Sequence, residues 1–495
     1  MGSDGAGSHN GLEQAAAATL DAAALESARF GFHRNHGQRS AKRVLHFTQV
    51  VAFALIIAGL WWAASSALGT TLFALHVAAL LLFTTAIAWR LVAASILTPI
   101  LSRLAAPQHW PTYTILCPLY GEAAGVAELV AAINRLDYPA EALDVKLLVE
   151  SDDADTVAAA QRVSKPAHIA VLIVPAAAPR TKPKALNVGL SVARGEYVAV
   201  YDAEDRPHPQ QLRAALAAFE DGDAQLACVQ APLVVDNADD AWIARQFAAE
   251  YAIQFGEILP LLAKLRLPLP LGGSSNHFRT EILRGIGGWD PNNVTEDADL
   301  GYRLARDGYH SGVIAPPTWE EAPITFRAWR RQRARWIKGH IQTWLVLMRD
   351  PLRTMREMGL PPFASMQLIL GGGVVAAFAH GPIAFVILAA LLSPDRLLES
   401  VDFVVALSGY TVAVFASLSA SALSRNWSHL RAALTMPFYW PLSTVSACAA
   451  FFDILVRPHH WSKTAHGVSR RRGYSVRTPA KRHVWAPTLA LRGRA

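Results

Sequence analysis

Cysteine is scarce in this chain of 495 residues: Cys117, Cys228 and Cys448 stand far apart, with no metal-ligand spacing between them. A disulfide framework and a cysteine-held metal are thereby excluded, and the pattern fits small buried side chains in a reducing compartment. Charge is thin as well, at 17% of residues, and it is missing from long stretches. Residues 44–67 are almost uncharged, and 71–88 repeat the pattern after a short Ser/Gly break. Two further apolar runs, 366–392 and 402–423, lie beyond a long region of mixed polarity. Each is near the roughly 20 residues that a bilayer span needs. A soluble chain of about three domains of ~150 residues is therefore excluded. The sequence describes an integral membrane protein with a soluble middle.

The first apolar run begins too far into the chain, and is too long, for a secretory signal peptide. Arg29, Arg34, Arg39, Lys42 and Arg43 precede it, so the positive-inside rule places the N-terminus in the cytoplasm. Two spans over 44–101 return the chain there, and Arg90 and Arg103 follow the second. The middle region is thus expected in the cytoplasm of a multi-pass inner-membrane protein. Residues 1–43 are expected to be a disordered, basic cytoplasmic segment. Much of the net charge of +7 sits in the tail, at Arg470, Arg471, Arg472, Arg477, Lys481 and Arg482. Beside membrane spans such a cluster meets anionic lipid headgroups rather than nucleic acid. After the two spans within 363–424, residues 434–456 form a fifth apolar run with Pro437 and Pro441 near its start and Asp453 near its end. Crossing there would put the basic tail outside, so an interface helix is preferred over a fifth span.

From residue 111 the pattern changes. Tyr113 opens a short apolar β run, Gly121-Glu122 leads into a helix over about 126–136, and further β runs follow at 145–149, 169–174 and 197–201. Strands alternating with helices predict a mostly parallel sheet covered on both faces. In such sheets ligands bind at the carboxyl ends of strands. Acids collect there: Glu150, Asp152 and Asp153 after the second strand, and Asp202, Glu204 and Asp205 after the fourth. Clustered carboxylates repel one another and lose solvation, which a divalent cation would relieve; helix capping is the plainer origin. Lys182 and Lys184, between the two clusters, suit phosphate oxygens or a solvated basic loop.

Residues 272–339 are densest in groups that are costly to bury. Thr295, Glu296 and Asp297 precede an amphipathic helix, where unpaired N–H groups favour negative charge. Gln332, Arg335 and Trp336 follow a run of arginines on a second helix. Carboxylates, a fixed cation and an aromatic platform suit an anionic substrate with a leaving phosphate and a ring to stack. Trp319, Trp329, Trp344, Arg327, Arg330, Arg331 and Arg333 fit an amphipathic helix at a membrane interface.

In this order the motifs resemble those of the processive family 2 glycosyltransferases, the group that includes cellulose, chitin, curdlan and hyaluronan synthases. Their Asp, Asp-x-Asp, Thr-Glu-Asp and Gln-x-x-Arg-Trp elements are met by Asp152 with Asp153, by Asp202-Ala203-Glu204, by Thr295-Glu296-Asp297 and by Gln332 to Trp336. Lys184-Ala185-Leu186-Asn187 and Gly273-Ser274 match further elements, and the likeness covers about 111–339. Glu204 stands where the family usually has Asp, so the metal pair is Asp202 with Glu204 or recruits Asp205. Either Glu150 or Asp152 contacts the nucleotide base, with Asp152 favoured. Lys463, in Trp461-Ser462-Lys463-Thr464, resembles part of the loop that folds over the nucleotide in cellulose synthase.

The resemblance implies an α/β GT-A domain over about 108–345 that binds a UDP-sugar, flanked by transmembrane α-helices and ending in interface helices. It implies an inverting transfer with Asp297 as general base, Glu296 and Thr295 positioning it, and Mg²⁺ or Mn²⁺ on Asp202 and Glu204. The implied substrate-binding residues are Glu150, Asp152, Lys184, Asn187, Gly273, Ser274, Gln332, Arg335, Trp336 and Lys463. UDP-glucose is the favoured donor and a growing β-glycan the acceptor, with an export partner or a second copy completing the pore. The rivals are a UDP-N-acetylglucosamine polymer synthase, a single-addition transferase onto a lipid, and, from another class, a non-catalytic subunit of an export complex. The acids that the chemistry requires are all present, which speaks against the last.

Overall fold

A computed structural model of the chain describes residues 22–96, 100, 102–164, 166–392, 399–424 and 426–460. The basic tail and Lys463 lie outside the described residues. Apolar runs without alternation suit strands buried on both faces, and they form the centre of the molecule: β1 (Tyr113–Leu119), β2 (Leu143–Glu150), β3 (Ile169–Val174) and β4 (Tyr197–Val200). Short strands follow as β5 (Arg206–Pro207), β6 (Leu226–Gln230), β7 (Leu233–Val235), β8 (Asn276–Arg279), β9 (His310–Val313) and β10 (Thr318–Glu320). The main sheet has the order β3-β2-β1-β4-β8-β6-β9. Only β8 runs against its neighbours β4 and β6; the pairs β1–β2, β1–β4, β2–β3 and β6–β9 are parallel. The mostly parallel sheet predicted from the alternating pattern is therefore present, and a three-stranded sheet β5-β10-β7 adds a flap beside it.

Both faces of the sheet are covered. One carries Ile115, Val145, Leu147, Leu212 and Phe219; the other carries Leu116, Leu148, Val188, Phe278 and Leu300. The helix Lys182–Ser191 lies close on the second face, and a side chain at Gly189 would meet Leu116 and Leu148 at 2.9 Å. Strand order reverses between β1 and β4, so β2, β1 and β4 open their carboxyl ends onto one crevice.

Among the described residues five helices are long and apolar enough to cross a membrane: Phe47–Ser66, Leu68–Ser95, Leu360–Leu392, Ser400–Ser424 and Met436–Val456. The chain is a membrane protein. Pro382 inside the third of these removes a backbone donor; the hydroxyl of Thr444 lies 2.8 Å from the Ala377 carbonyl and 3.2 Å from that of Phe378, and accepts from Gly381 N at 2.8 Å. That exchange ties the last helix to the third.

Composition predicts disorder through residue 43, yet from Ala22 the chain is folded onto the central α/β domain. Phe32 is buried beneath the Arg303 guanidinium, 4.5 Å from the ring centre. Arg349 donates to the carbonyls of Gln38 at 2.7 Å and Ser40 at 3.0 Å, and the amide of Ala41 donates to Asp290 at 2.5 Å. One buried aromatic ring and several carbonyl contacts order a segment whose average composition is that of a loose chain.

Candidate active site

β2 ends on Glu150, and the Lys184 ammonium reaches it at 2.8 Å. Lys184 also lies 3.1 Å from the Pro175 carbonyl and 3.2 Å from that of Ala177, and it is fully buried. Its three protons are thus consumed internally, and it braces Glu150 and the 175–177 loop. Burial raises the Glu150 carboxyl above its ordinary value, with Lys184 opposing. Asp152 turns outward to Arg180 at 2.6 Å. Asp153 caps the helix Ala154–Val163 by accepting from Thr156 N at 3.2 Å, a role that its residue type favours. Asn187 bonds to both Trp289 backbone groups, at 2.8 and 3.0 Å, and to the Ala28 carbonyl at 3.4 Å. It holds the folded N-terminal segment against the domain.

After β4, Asp202 faces Lys182, whose ammonium lies 2.6 and 2.8 Å from its two oxygens and 2.6 Å from the Gly273 carbonyl. Burial works against the Lys182 charge, but Asp202, Glu296 and Asp297 outweigh it and raise its pKa. Beneath, Asp205 accepts from Asp202 N at 2.7 Å while its Oδ1 has no hydrogen-bond partner among the described residues. Burial, then the charges of Asp202 and Glu204, push Asp205 well above the usual carboxylate range. Among the described residues no group of three or more His, Cys, Asp or Glu side chains is arranged to hold a metal. Asp202 and Glu204 provide two hard oxygen donors, which fit a divalent cation that takes its remaining ligands from substrate phosphates and water.

Opposite stands the turn into the helix Glu296–Arg306. Thr295 is its N-cap, with its own amide donating to Asn293 at 3.0 Å, and Asp297 accepts from Ala298 N at 2.8 Å. Burial, followed by the neighbouring Asp297 charge, pushes the Glu296 carboxyl up. Burial also raises Asp297, with Ala298 N–H, Lys182 and Arg335 opposing. A side chain at Gly273 would stand 3.1 Å from Asp297 Oδ2, so glycine leaves room beside that carboxylate.

The helix Phe326–Leu347 presents the last group. Burial disfavours the Arg335 charge, and Glu296, Asp297, Asp202 and Glu204 support it. The Trp336 ring stacks near Tyr251, 6.3 Å away at 20°, with the Arg333 guanidinium 5.1 Å from its centre. Gln332 is buried, and its Oε1 has no partner among the described residues.

A single cavity of about 1980 Å³ is lined by Glu150, Asp202, Glu204, Gly273, Ser274, Thr295, Glu296, Asp297, Gln332, Arg335 and Trp336. Asp152, Lys184 and Asn187 are not part of this lining; Asp152 is exposed and reaches it only through its pair with Arg180. The cavity continues between the apolar helices, past His380 and Tyr410, to His76 and Asp402, whose side chains pair at 3.0 Å. Sequence reasoning missed Arg180, Tyr251 and Glu320 in this lining; Glu320 follows Trp319 on a short flap strand that carries no motif. Burial, then Asp205 and Glu204, hold the Glu320 carboxyl well above its ordinary value.

Residues 111–339 match the family model described as glycosyltransferase like family 2. This region is similar to the family 2 glycosyltransferases, the likeness that its motifs implied. Its mostly parallel sheet agrees with the α/β GT-A domain that the resemblance implies. Among curated relatives it is similar to a probable glycosyltransferase, YdaM, of Bacillus subtilis, 26% identical over 46% of this chain and 55% of that one. It is 24% identical to a beta-monoglucosyldiacylglycerol synthase of Synechocystis, over 55% and 57%, and 29% identical to a UDP-forming cellulose synthase catalytic subunit of Pseudomonas fluorescens, over 48% and 32%. The chain thus spans little more than half the length of the first two relatives.

Proposed function

We propose that this glycosyltransferase transfers a hexose, with inversion, from a UDP-sugar to an acceptor at the cytoplasmic membrane surface, with UDP-glucose as donor and a growing β-glycan as acceptor. The observation that carries the reading is the continuity of one cavity. It runs from the Lys182–Asp202 pair and the Glu296–Asp297 carboxylates, past Trp336, into the space between membrane helices. Asp297 takes the proton of the acceptor hydroxyl as that oxygen bonds to the anomeric carbon and the bond to the diphosphate breaks. Lys182 and Arg335 face the charge that gathers on the leaving UDP. A Mg²⁺ or Mn²⁺ ion on Asp202 and Glu204 would supply Lewis-acid stabilisation of that diphosphate. Glu150 or Asp152, beside Arg180, contacts the base, and Trp336 offers its face to the acceptor sugar.

The topology that goes with this reading makes Met436–Val456 an interface helix. Tyr439, near its start, donates to Glu250 at 2.8 Å, and Asp453, near its end, accepts from Lys338 at 2.5 Å. A helix crossing the ~30 Å hydrocarbon core would carry its two ends to opposite sides. Here both ends bond to residues outside the candidate spans, which supports an interface helix over a fifth span.

A second reading, single addition to a lipid, draws on the aliphatic wall at membrane level, where Leu80, Ile87, Ile383, Ile387, Leu391 and Val405 line the cavity. Purified protein in lipid nanodiscs, given UDP-glucose or UDP-N-acetylglucosamine with Mg²⁺, separates the readings by product size. A long glycan supports the first and a one-sugar lipid the second. UDP release without either product, undiminished in Asp297→Asn, would sink both.

A further inference from the structure

We infer that Lys338 and Gln342 are positioning residues that bind the general-base turn and the root of the C-terminal segment into one unit. The inference rests on the assignment of Asp297 as base. Both residues lie on the helix Phe326–Leu347 beyond the Gln-x-x-Arg-Trp motif, and both are buried to within 1% of full. A buried amide and a buried ammonium are costly unless every group finds a partner. Here the partners come from two separate parts of the chain. Gln342 Oε1 accepts from Val294 N at 3.2 Å, three residues before Asp297, while Gln342 Nε2 donates to the Pro458 carbonyl at 2.7 Å. Lys338 donates to Asp453 at 2.5 Å and to the His460 carbonyl at 2.6 Å, with the Arg457 carbonyl 3.3 Å away.

Three neighbours complete the clamp. Thr343 accepts from Asn293 Nδ2 at 2.9 Å, Gly339 packs against Thr295, and a His459 ring nitrogen lies 3.0 Å from the Asn292 carbonyl. Every residue from Asn292 to Thr295 is therefore held by this helix or by the 458–460 segment, whose His459 and His460 also line the catalytic cavity. Displacing Pro458 through His460 must strain the turn that aims Asp297, because Gln342 joins the two with one side chain. Among the described residues Gln342 has no hydrogen bond to the donor-side groups Glu150, Lys184 or Asp202, whose partners lie elsewhere.

That separation supplies the test. In Gln342→Leu and Lys338→Met, kcat for sugar transfer should fall at least ~10-fold, since a 1 Å misplacement costs up to about 10²-fold. Affinity for UDP, the probe of the donor half, should stay within about 3-fold. His459→Ala, at a half-exposed position, folds with less risk and should show the same split at about 3- to 10-fold in kcat. Wild-type kcat in Gln342→Leu or His459→Ala protein that still binds UDP overturns the inference. So does a parallel loss of kcat and UDP affinity, which marks a general structural role. If Asp297→Asn retains full activity, the assignment of the base fails instead, and that result is read independently.

Discussion

Gly339 lies directly against Thr295: a methyl group added at 339 would overlap the hydroxyl, the Cβ and the methyl of that threonine. The helix bearing Arg335 and Trp336 and the turn bearing Asp297 are thus in contact without an intervening side chain. Close packing gives such a contact no slack. Arg335 and Asp297 are registered through this contact together with the Gln342 and Thr343 bonds to the same turn.

Gly339→Ala should therefore harm catalysis more than folding. Overpacking of this kind costs about 1–3 kcal/mol, and the strain falls on the turn that carries Asp297, the proposed base. A drop in kcat of at least ~10-fold, with the thermal midpoint lowered by a few degrees, is expected. Activity assays beside thermal unfolding of the same detergent-purified sample check this. Full activity at lowered stability would show that the contact is merely structural.

Asp297→Asn should reduce transfer by about 10²- to 10⁴-fold, the usual worth of a positioned general base, while UDP still binds. The pH profile adds a sign. Burial raises Asp297 above its ordinary carboxylate value, and only the ionised form accepts a proton. The acidic limb of kcat should accordingly lie above the range of an ordinary aspartate, with activity falling as pH drops through the raised pKa. A rate that stays flat down to about pH 4.5 would assign the proton to another group.

Much of this was legible in the sequence because it was periodic or clustered. The apolar runs marked β1 to β4, and the acids followed at β2 and β4 because helix and strand alternation places carboxyl ends together. Asn187 and Lys184 show where such reading stops. Motif position suggested ligands, yet Lys184 spends its protons on Glu150 and two carbonyls, and Asn187 grips Ala28 and Trp289. The order of residues 22–43 was invisible for a related reason. It depends on Phe32 under Arg303 and on Arg349, more than 250 residues away in the chain, and neither partner leaves a local signature. Gln342 likewise carries no motif, because its significance comes only from what tertiary packing brings to either end of its amide.

Lys182→Met should weaken donor binding and move the pH profile. The ammonium now offsets Asp202, Glu296 and Asp297. Without it the two acceptor-side carboxyls rise further, so the acidic limb of kcat shifts to higher pH while KM for the donor increases by about 10-fold or more, the scale of a lost charged contact to phosphate. Stripping divalent cations with a chelator should abolish transfer, and Mg²⁺ or Mn²⁺ should restore it. Unchanged donor KM in Lys182→Met would place the phosphates elsewhere.

Glu257 tests the junction between the catalytic unit and the membrane helices. It is 3% exposed, and neither carboxyl oxygen has a hydrogen-bond partner among the described residues. Burial pushes its pKa from 4.5 to about 7, with Ser419 and the Arg90 guanidinium offsetting part of the cost. A carboxyl whose folded value exceeds its unfolded value is neutral and harmless below about pH 4.5 and destabilises increasingly as pH rises to about 7. Above that the penalty is constant, on the order of 3 kcal/mol. Glu257→Gln should consequently raise the thermal midpoint at pH 8 by several degrees and change it little at pH 5, measured in one detergent. An equal gain at both pH values would mean that packing, and not the buried charge, sets the cost at this position.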